Sequence, residues 1–328
     1  MREIAFIKQN KQKWLDTEQA IFGKTKKNPD EIAHLYIQLV NDLSFSQTFY
    51  PKSKTVTYLN YLVSIIYQKI YKTKRQETNR IVSFFKTEVP LIVFQYRRYI
   101  LYAFVLFFMS VSIGVISAKY DDTFVRLILG DDYVNMTLQN IKDGNPMAVY
   151  KSGSNWGSFI GITINNLFVG ARCYIYGIFL GVGTFLALLQ NCIMLGSFQY
   201  FFYKQGVFWQ SVQGIWIHGS MEIFAIVIES AAGFILGASV LFPKTFSRVD
   251  SLKIGFKNSF KIFLSTTPFT VAAGFLEGFI TRYSIIMPHW LNIFIILFTL
   301  SIICFYFLIY PFLVFKKQQA DFKNTFLK

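Results

Sequence analysis

Residues 211–242, SVQGIWIHGSMEIFAIVIESAAGFILGASVLF, form a long apolar run that still carries three ionisable side chains, His218, Glu222 and Glu229. About 20 helical residues cross the hydrocarbon core of a bilayer, so this run is long enough to span one. On a helix, His218 and Glu222 stand one turn apart on one face. Glu222 and Glu229 stand two turns apart on that same face, with Gly233 and Gly237 below them. An ionisable group at membrane depth costs about 2.5–3.5 kcal/mol on insertion scales, so it faces protein or water rather than lipid. A chain containing this run needs other helices to cover its polar face.

Those helices are present. The chain is 53% hydrophobic and 19% aromatic, and its mean hydropathy is positive, which points to an all-α, polytopic membrane protein. We expect about six spans: 99–118, two within 157–203, 211–242, 262–281 and 290–314. The turn inside 157–203 is expected near Gly170–Arg172. The start, MREIAFIKQNKQKW, has no apolar core of a signal peptide, so insertion is expected through the first span. The net charge of +15 reads as basic segments near anionic lipid, not as nucleic-acid binding.

Residues 1–96 read as a cytoplasmic helical region, 97–315 as the transmembrane domain and 316–328 as a basic cytoplasmic tail. Residues 1–98 hold 17 Lys/Arg against 8 Asp/Glu. Ile4, Ile7, Trp14 and Ile21 suggest a first amphipathic helix, ended by Gly23 and the KTKKN run. Asn28, Pro29 and Glu31 suggest a capped start for a second, with Ile32, Leu35, Tyr36, Leu39 and Leu43 as its stripe. A third opens at Ser53, with Val56, Leu59, Leu62, Val63, Ile66 and Ile70 on one side. Residues 79–96, interrupted by Lys86, Glu88 and Pro90, suit a helix lying in the membrane interface. Basic residues in the N-terminal region, in 244–261 and in the tail place these in the cytoplasm, and the 119–156 loop outside.

Several polar groups fall inside the spans. His218, Glu222, Asn165, Asn166, Asn191 and Glu229 are the candidate intramembrane polar site. Its plainest role is an interhelical hydrogen-bond network around a neutral acid; its sharper role is a substrate or ion pathway. The chain has three histidines, His34, His218 and His289, and no HExxH, so a metal site built from imidazole or thiolate lacks ligands and none is assigned. No cofactor is implied. Glu277 and Arg282 read as a local pair near the outer end of the fifth span. Gly177/Gly181 and Gly233/Gly237 are small-xxx-small pairs, read as helix-packing positions that also leave a homo-oligomer open. Cys173, Cys192 and Cys304 have no metal-ligand spacing and read as small buried residues.

Taken in order, Asn165-Asn166, Gly177-Ile178, Gly181-Val182-Gly183-Thr184, Leu189-x-Asn191 with Gly196, His218-Gly219-x-x-Glu222, Ala232-Gly233 with Gly237, and Glu277-Gly278-Phe279 with Thr281-Arg282 resemble the stage II sporulation protein M family over roughly residues 95–315. The stretches FIKQNKQKW and FSQTFYPKSKTVTYLN are similar to a non-sporulation branch of it. Glu229-Ser230 stands where that family resemblance implies small residues, and Asn191-Cys192 where it implies Asn-Gly. The resemblance implies a polytopic protein of the bacterial inner membrane that holds protein partners such as cell-wall hydrolases there, and it implies no established catalysis. The expectation is therefore a non-enzymatic scaffold or assembly factor of an envelope complex. Its alternatives are a transporter or channel-like protein using the His/Glu/Asn site and, more remotely, an intramembrane hydrolase with Glu222 as base.

Overall fold

The computed structural model describes residues 2–22, 29–71, 79–151 and 153–326. All regular structure among them is helical, and the chain divides into two units, Met1–Arg80 and Ile81–Lys328.

The first unit holds α1 (Glu3–Phe22), α2 (Pro29–Phe49) and α3 (Lys54–Tyr71). Phe6, Trp14 and Ile21 of α1 bury against Leu39 and Leu43 of α2 and Leu59, Leu62 and Ile66 of α3. Ile4, expected on this stripe, is exposed; Phe6 takes a core place instead, packed on Trp14 and Phe45. Polar ties fix the register. Trp14 Nε1 donates to Asp42 Oδ2 at 2.9 Å. The hydroxyls of Ser53 and Thr55 both donate to the Glu3 carboxylate. Gly23, the KTKKN run and the Asn28 cap lie outside the described residues, as does the side chain of Ile70.

The second unit begins with α4 (Arg80–Ser83), a π turn over Phe84–Glu88, and α5 (Val89–Gln95). The sequence placed 79–96 with the N-terminal region. In the structure Val89, Ile92 and Val93 bury in the core of the second unit, beside Ile100, Ile228 and Phe307. Pro90, which has no N–H, and the π turn before it together interrupt the helical ladder at the carbonyls of Phe85 and Lys86. Tyr306 donates to Phe85 O at 3.0 Å and Tyr310 to Lys86 O at 2.9 Å, so both are satisfied from another helix.

There follow α6 (Arg97–Tyr120), the short α7 (Asp122–Leu129) and α8 (Asp131–Lys142), α9 (Asn155–Ile175), α10 (Val182–Lys204), α11 (Phe208–Leu241), α12 (Arg248–Phe279), α13 (His289–Cys304) and α14 (Tyr310–Phe326). Among the described residues five helical stretches are long and apolar enough to cross a membrane: Arg97–Tyr120, Val182–Lys204, Phe208–Leu241, Arg248–Tyr283 and His289–Asp321. The sixth expected span is α9. It is helical, but Asn165, Asn166 and Arg172 dilute its hydropathy, so it is not one of the five. It packs against α11, α12 and α10. The protein is a multi-pass membrane protein.

The α9–α10 turn also lies later than expected. A 3₁₀ turn over Tyr176–Ile178 leads to Gly181, whose positive φ of 82° opens α10. Gly170 and Arg172 are inside α9. Gly170 is buried there as a space for a neighbour's side chain, not as a helix breaker.

The long apolar run with the polar face supplies the axis. α11 touches α6, α9, α10, α12 and α13, and 67% of its apolar window is buried, against 17–39% for the other four spans. At 34 residues it is about 51 Å long, well beyond a hydrocarbon core of about 30 Å.

Candidate functional site

A cleft of about 610 Å³ opens along α11, walled by α9 and α10 and reached by α6, α7, α8 and the end of α12. Asn165, Asn166, Asn191, His218, Glu222 and Glu277 line it, among apolar neighbours such as Ile162, Leu195 and Ile223. No Lys or Arg is among its lining residues.

His218 and Glu222 come from successive turns of α11, as their spacing requires. Glu277 comes from α12, which packs on both α11 and α9. Gly274 and Gly278 allow this approach: a Cβ at Gly274 would lie 2.2 Å from Thr163 Oγ1, and one at Gly278 would lie 2.9 Å from Phe159 N. His218, 5% exposed, has its Nδ1 3.0 Å from Thr281 Oγ1 and its Nε2 3.5 Å from Glu277 Oε2. One ring nitrogen or carboxylate oxygen from each of His218, Glu222 and Glu277 lies within 4.8 Å of the other two.

The amides differ in role. Asn191 Nδ2 donates to Ala187 O in its own helix at 2.8 Å. The exposed Asn165 donates to Asn166 Oδ1 at 3.3 Å. Asn166 is 6% exposed; its Nδ2 approaches the Glu222 carboxylate but stays outside hydrogen-bond geometry and has no other partner.

Two acids depart from the places the sequence suggests. Glu277 does not form a local pair with Arg282: its carboxylate turns to His218, while Arg282 Nη2 donates to Gly153 O at 3.4 Å. Sequence proximity suggested the pair, but the last turn of α12 points residue 277 inward at α11. Glu229 does not line the cleft. It is 2% exposed, accepts a 2.7 Å hydrogen bond from Thr266 and lies over Gly170, where a Cβ would come within 2.1 Å of its carboxylate. It shares a face with Glu222, but at its depth α9 has closed on α11 at Gly170, just before the α9–α10 turn.

The closure is made by glycines. A Cβ at Gly177 would lie 2.1 Å from Gly233 O, one at Gly233 would lie 2.6 Å from Cys173 O, and one at Gly237 would lie 2.4 Å from Gly181 N. Backbone rests on backbone, and Thr184 Oγ1 ties the turn by donating to Cys173 O at 2.7 Å. Sequence reasoning quoted Thr281 only as part of the family pattern and passed over Thr266, the two hydroxyls that meet His218 and Glu229. Threonine inside a span gives no signal of its partner, which is set by helix packing.

Residues 103–282 match the family described as Stage II sporulation protein M. The chain belongs to this family. The Stage II sporulation protein M match runs from α6 through the turn after α12 and takes in the whole cleft, Glu277 and Thr281 included, together with the glycine closure. It ends before α13 and α14, so these lie outside the matched Stage II sporulation protein M region. Residues 4–72 match a second family, described as Domain of unknown function (DUF8413), and cover α1 to α3. No curated protein and no solved structure matches the chain.

Proposed function

We propose that this protein is a non-enzymatic scaffold or assembly factor of a complex in the bacterial plasma membrane. Its membrane unit holds position, and its N-terminal three-helix unit and basic C-terminal tail face the cytoplasm. The observation that carries the reading is the glycine closure: below Glu222 the α9–α10 turn lies backbone to backbone on α11, with no room for a methyl group. A body packed to that density resists rearrangement, whereas a carrier must open both halves in turn. The separate unit of residues 1–80, with a core of its own, supplies a surface for partners. Enzymes that cut the cell wall are the partner class implied by the family resemblance.

Affinity capture of the full chain from native membrane, beside a form lacking residues 1–80, tests this. The scaffold reading expects a stoichiometric partner that is lost with the N-terminal unit while the membrane unit still inserts. Full-length protein that brings down no partner after membrane-permeable crosslinking overturns it.

A second reading, transport, is favoured by the acidic and amide lining of the cleft. It expects Glu222→Gln to yield a stable protein that has lost flux in vesicles. The scaffold reading expects the same variant to keep most function.

A further inference from the structure

We infer that His218, Glu222 and Glu277 bind one divalent first-row transition cation, of the Zn2+ class, at the wall of the intramembrane cleft. Three observations converge.

The first is ligand geometry. His218 Nε2 and Glu277 Oε2 are 3.5 Å apart. Bonds of about 2.0–2.1 Å to a tetrahedral Zn2+ place neighbouring ligand atoms about 3.4 Å from one another. The Glu222 oxygen completes a set spanning no more than 4.8 Å, so small side-chain rotations bring all three onto one ion. Imidazole with two carboxylates, and no thiolate in the set, suits a borderline divalent cation.

The second is the shell behind the ligands. A histidine that binds metal through one ring nitrogen commonly donates the other N–H to an oxygen, which fixes its tautomer and orientation. Thr281 Oγ1 stands 3.0 Å from Nδ1 in that position and leaves Nε2 directed at the carboxylates. Behind Glu222, the buried Asn166 Nδ2 has no hydrogen-bond partner. It points at the carboxylate that would be ionised when it holds a cation, and ligating carboxylates are themselves normally hydrogen-bonded.

The third is charge. Two carboxylates face one another across a low-dielectric wall with no Lys or Arg in the lining. Buried charges are stable when paired or coordinated to metal. A divalent cation balances both acids and leaves coordination positions open to the 610 Å³ cleft for water or a small anionic group.

The test uses the full chain, purified in detergent, stripped with chelator and titrated calorimetrically with Zn2+ and, in parallel, Mn2+. One saturable site per chain is expected. Affinity should fall at least ~100-fold in Glu277→Gln and by ~10–100-fold in Thr281→Val, the usual cost of losing a partner behind a ligand. It should be unchanged in Glu229→Gln, whose acid is buried outside the cluster. Zinc K-edge absorption on the wild-type complex should show nitrogen and oxygen neighbours without sulfur. Absence of saturable binding by folded wild-type protein overturns the inference, as does full affinity in Glu277→Gln. Should a variant fail to fold, the wild-type titration and spectrum decide alone: a sulfur shell, which would implicate Cys192 in the same cleft, also overturns it.

Discussion

Gly177 of the α9–α10 turn lies against the carbonyl of Gly233 on α11 so closely that an added Cβ would sit 2.1 Å from that oxygen. Nothing flexible stands between them. The neighbour that would have to yield is main chain, held in the hydrogen-bond ladder of the most buried helix.

Gly177→Ala and Gly233→Ala should therefore each destabilise the membrane unit by about 1–3 kcal/mol or more, the cost of overpacking a filled interior. Gly161→Ala is the contrast. That residue is inside α9 with open space where a Cβ would go, and alanine is favoured over glycine in a helix by about 1 kcal/mol. Thermal melting in detergent should rank Gly161→Ala at or above wild type and both packing variants clearly below it.

Gly170 and Glu229 should show energetic coupling. An alanine methyl at 170 would strike the Glu229 carboxylate, which is held by Thr266 at 2.7 Å. Gly170→Ala alone should displace the acid from its partner, leaving a buried polar group unmet at about 1–3 kcal/mol. In a Glu229→Ala background that clash is gone, so the second substitution should cost much less. A double-mutant cycle in detergent should return a coupling above about 0.5 kcal/mol, the range found for residues in contact. Additive costs would mean that the two residues do not meet.

Tyr310→Phe removes the hydroxyl that caps Lys86 O beside Pro90. Loss of one such bond costs about 0.5–1.5 kcal/mol. Its partner Tyr306→Phe, which releases Phe85 O, should cost a similar amount. Pro90→Ala supplies the N–H that the turn lacks, so the penalty of either tyrosine variant should shrink in that background. Hydrogen exchange across 84–95, measured for each variant, reads the local opening directly.

The N-terminal unit should lose stability at both pH extremes, through different groups. Hydrogen bonds from Ser53 and Thr55 hold the Glu3 carboxyl below its usual value. The stabilisation is complete above the unfolded carboxylate range and disappears as pH falls through the depressed folded value. Burial and the bond to Glu18 push the Tyr58 hydroxyl up to about 12. Its contribution is complete below the usual value of 10 and is lost as pH rises from there through about 12. Exchange protection of α1 and α3 in the full chain should therefore fall at each end. Glu3→Gln should flatten only the acid limb and Tyr58→Phe only the alkaline one.

Much of the architecture is written in local pattern. Helical periodicity placed α1, α2 and α3 nearly to the residue, because the stripes carrying Trp14, Leu39 and Leu62 repeat at helical spacing and need only short-range information. Long apolar runs announced α6, α10, α11, α12 and α13, since insertion depends on summed hydropathy along one segment. His218 and Glu222 were legible as a unit because four residues on a helix fix a shared face.

Packing between helices decided the rest. Glu277 could be read only against its sequence neighbour Arg282, whereas the turn of α12 carries its carboxylate to a histidine 59 positions away. Glu229 was grouped with Glu222 by helical phase, yet α9 closes on Glu229 at Gly170, while Glu222 lines the cleft. Gly170 looked like a breaker and is a socket for that acid. The sequence by itself determined the helices, their membrane character and the polar face of α11, because those properties follow from residues near one another in the chain. Only the tertiary structure decided which polar groups share the cleft, because helix pairing is set by small residues that let backbones touch, and a glycine does not name its partner.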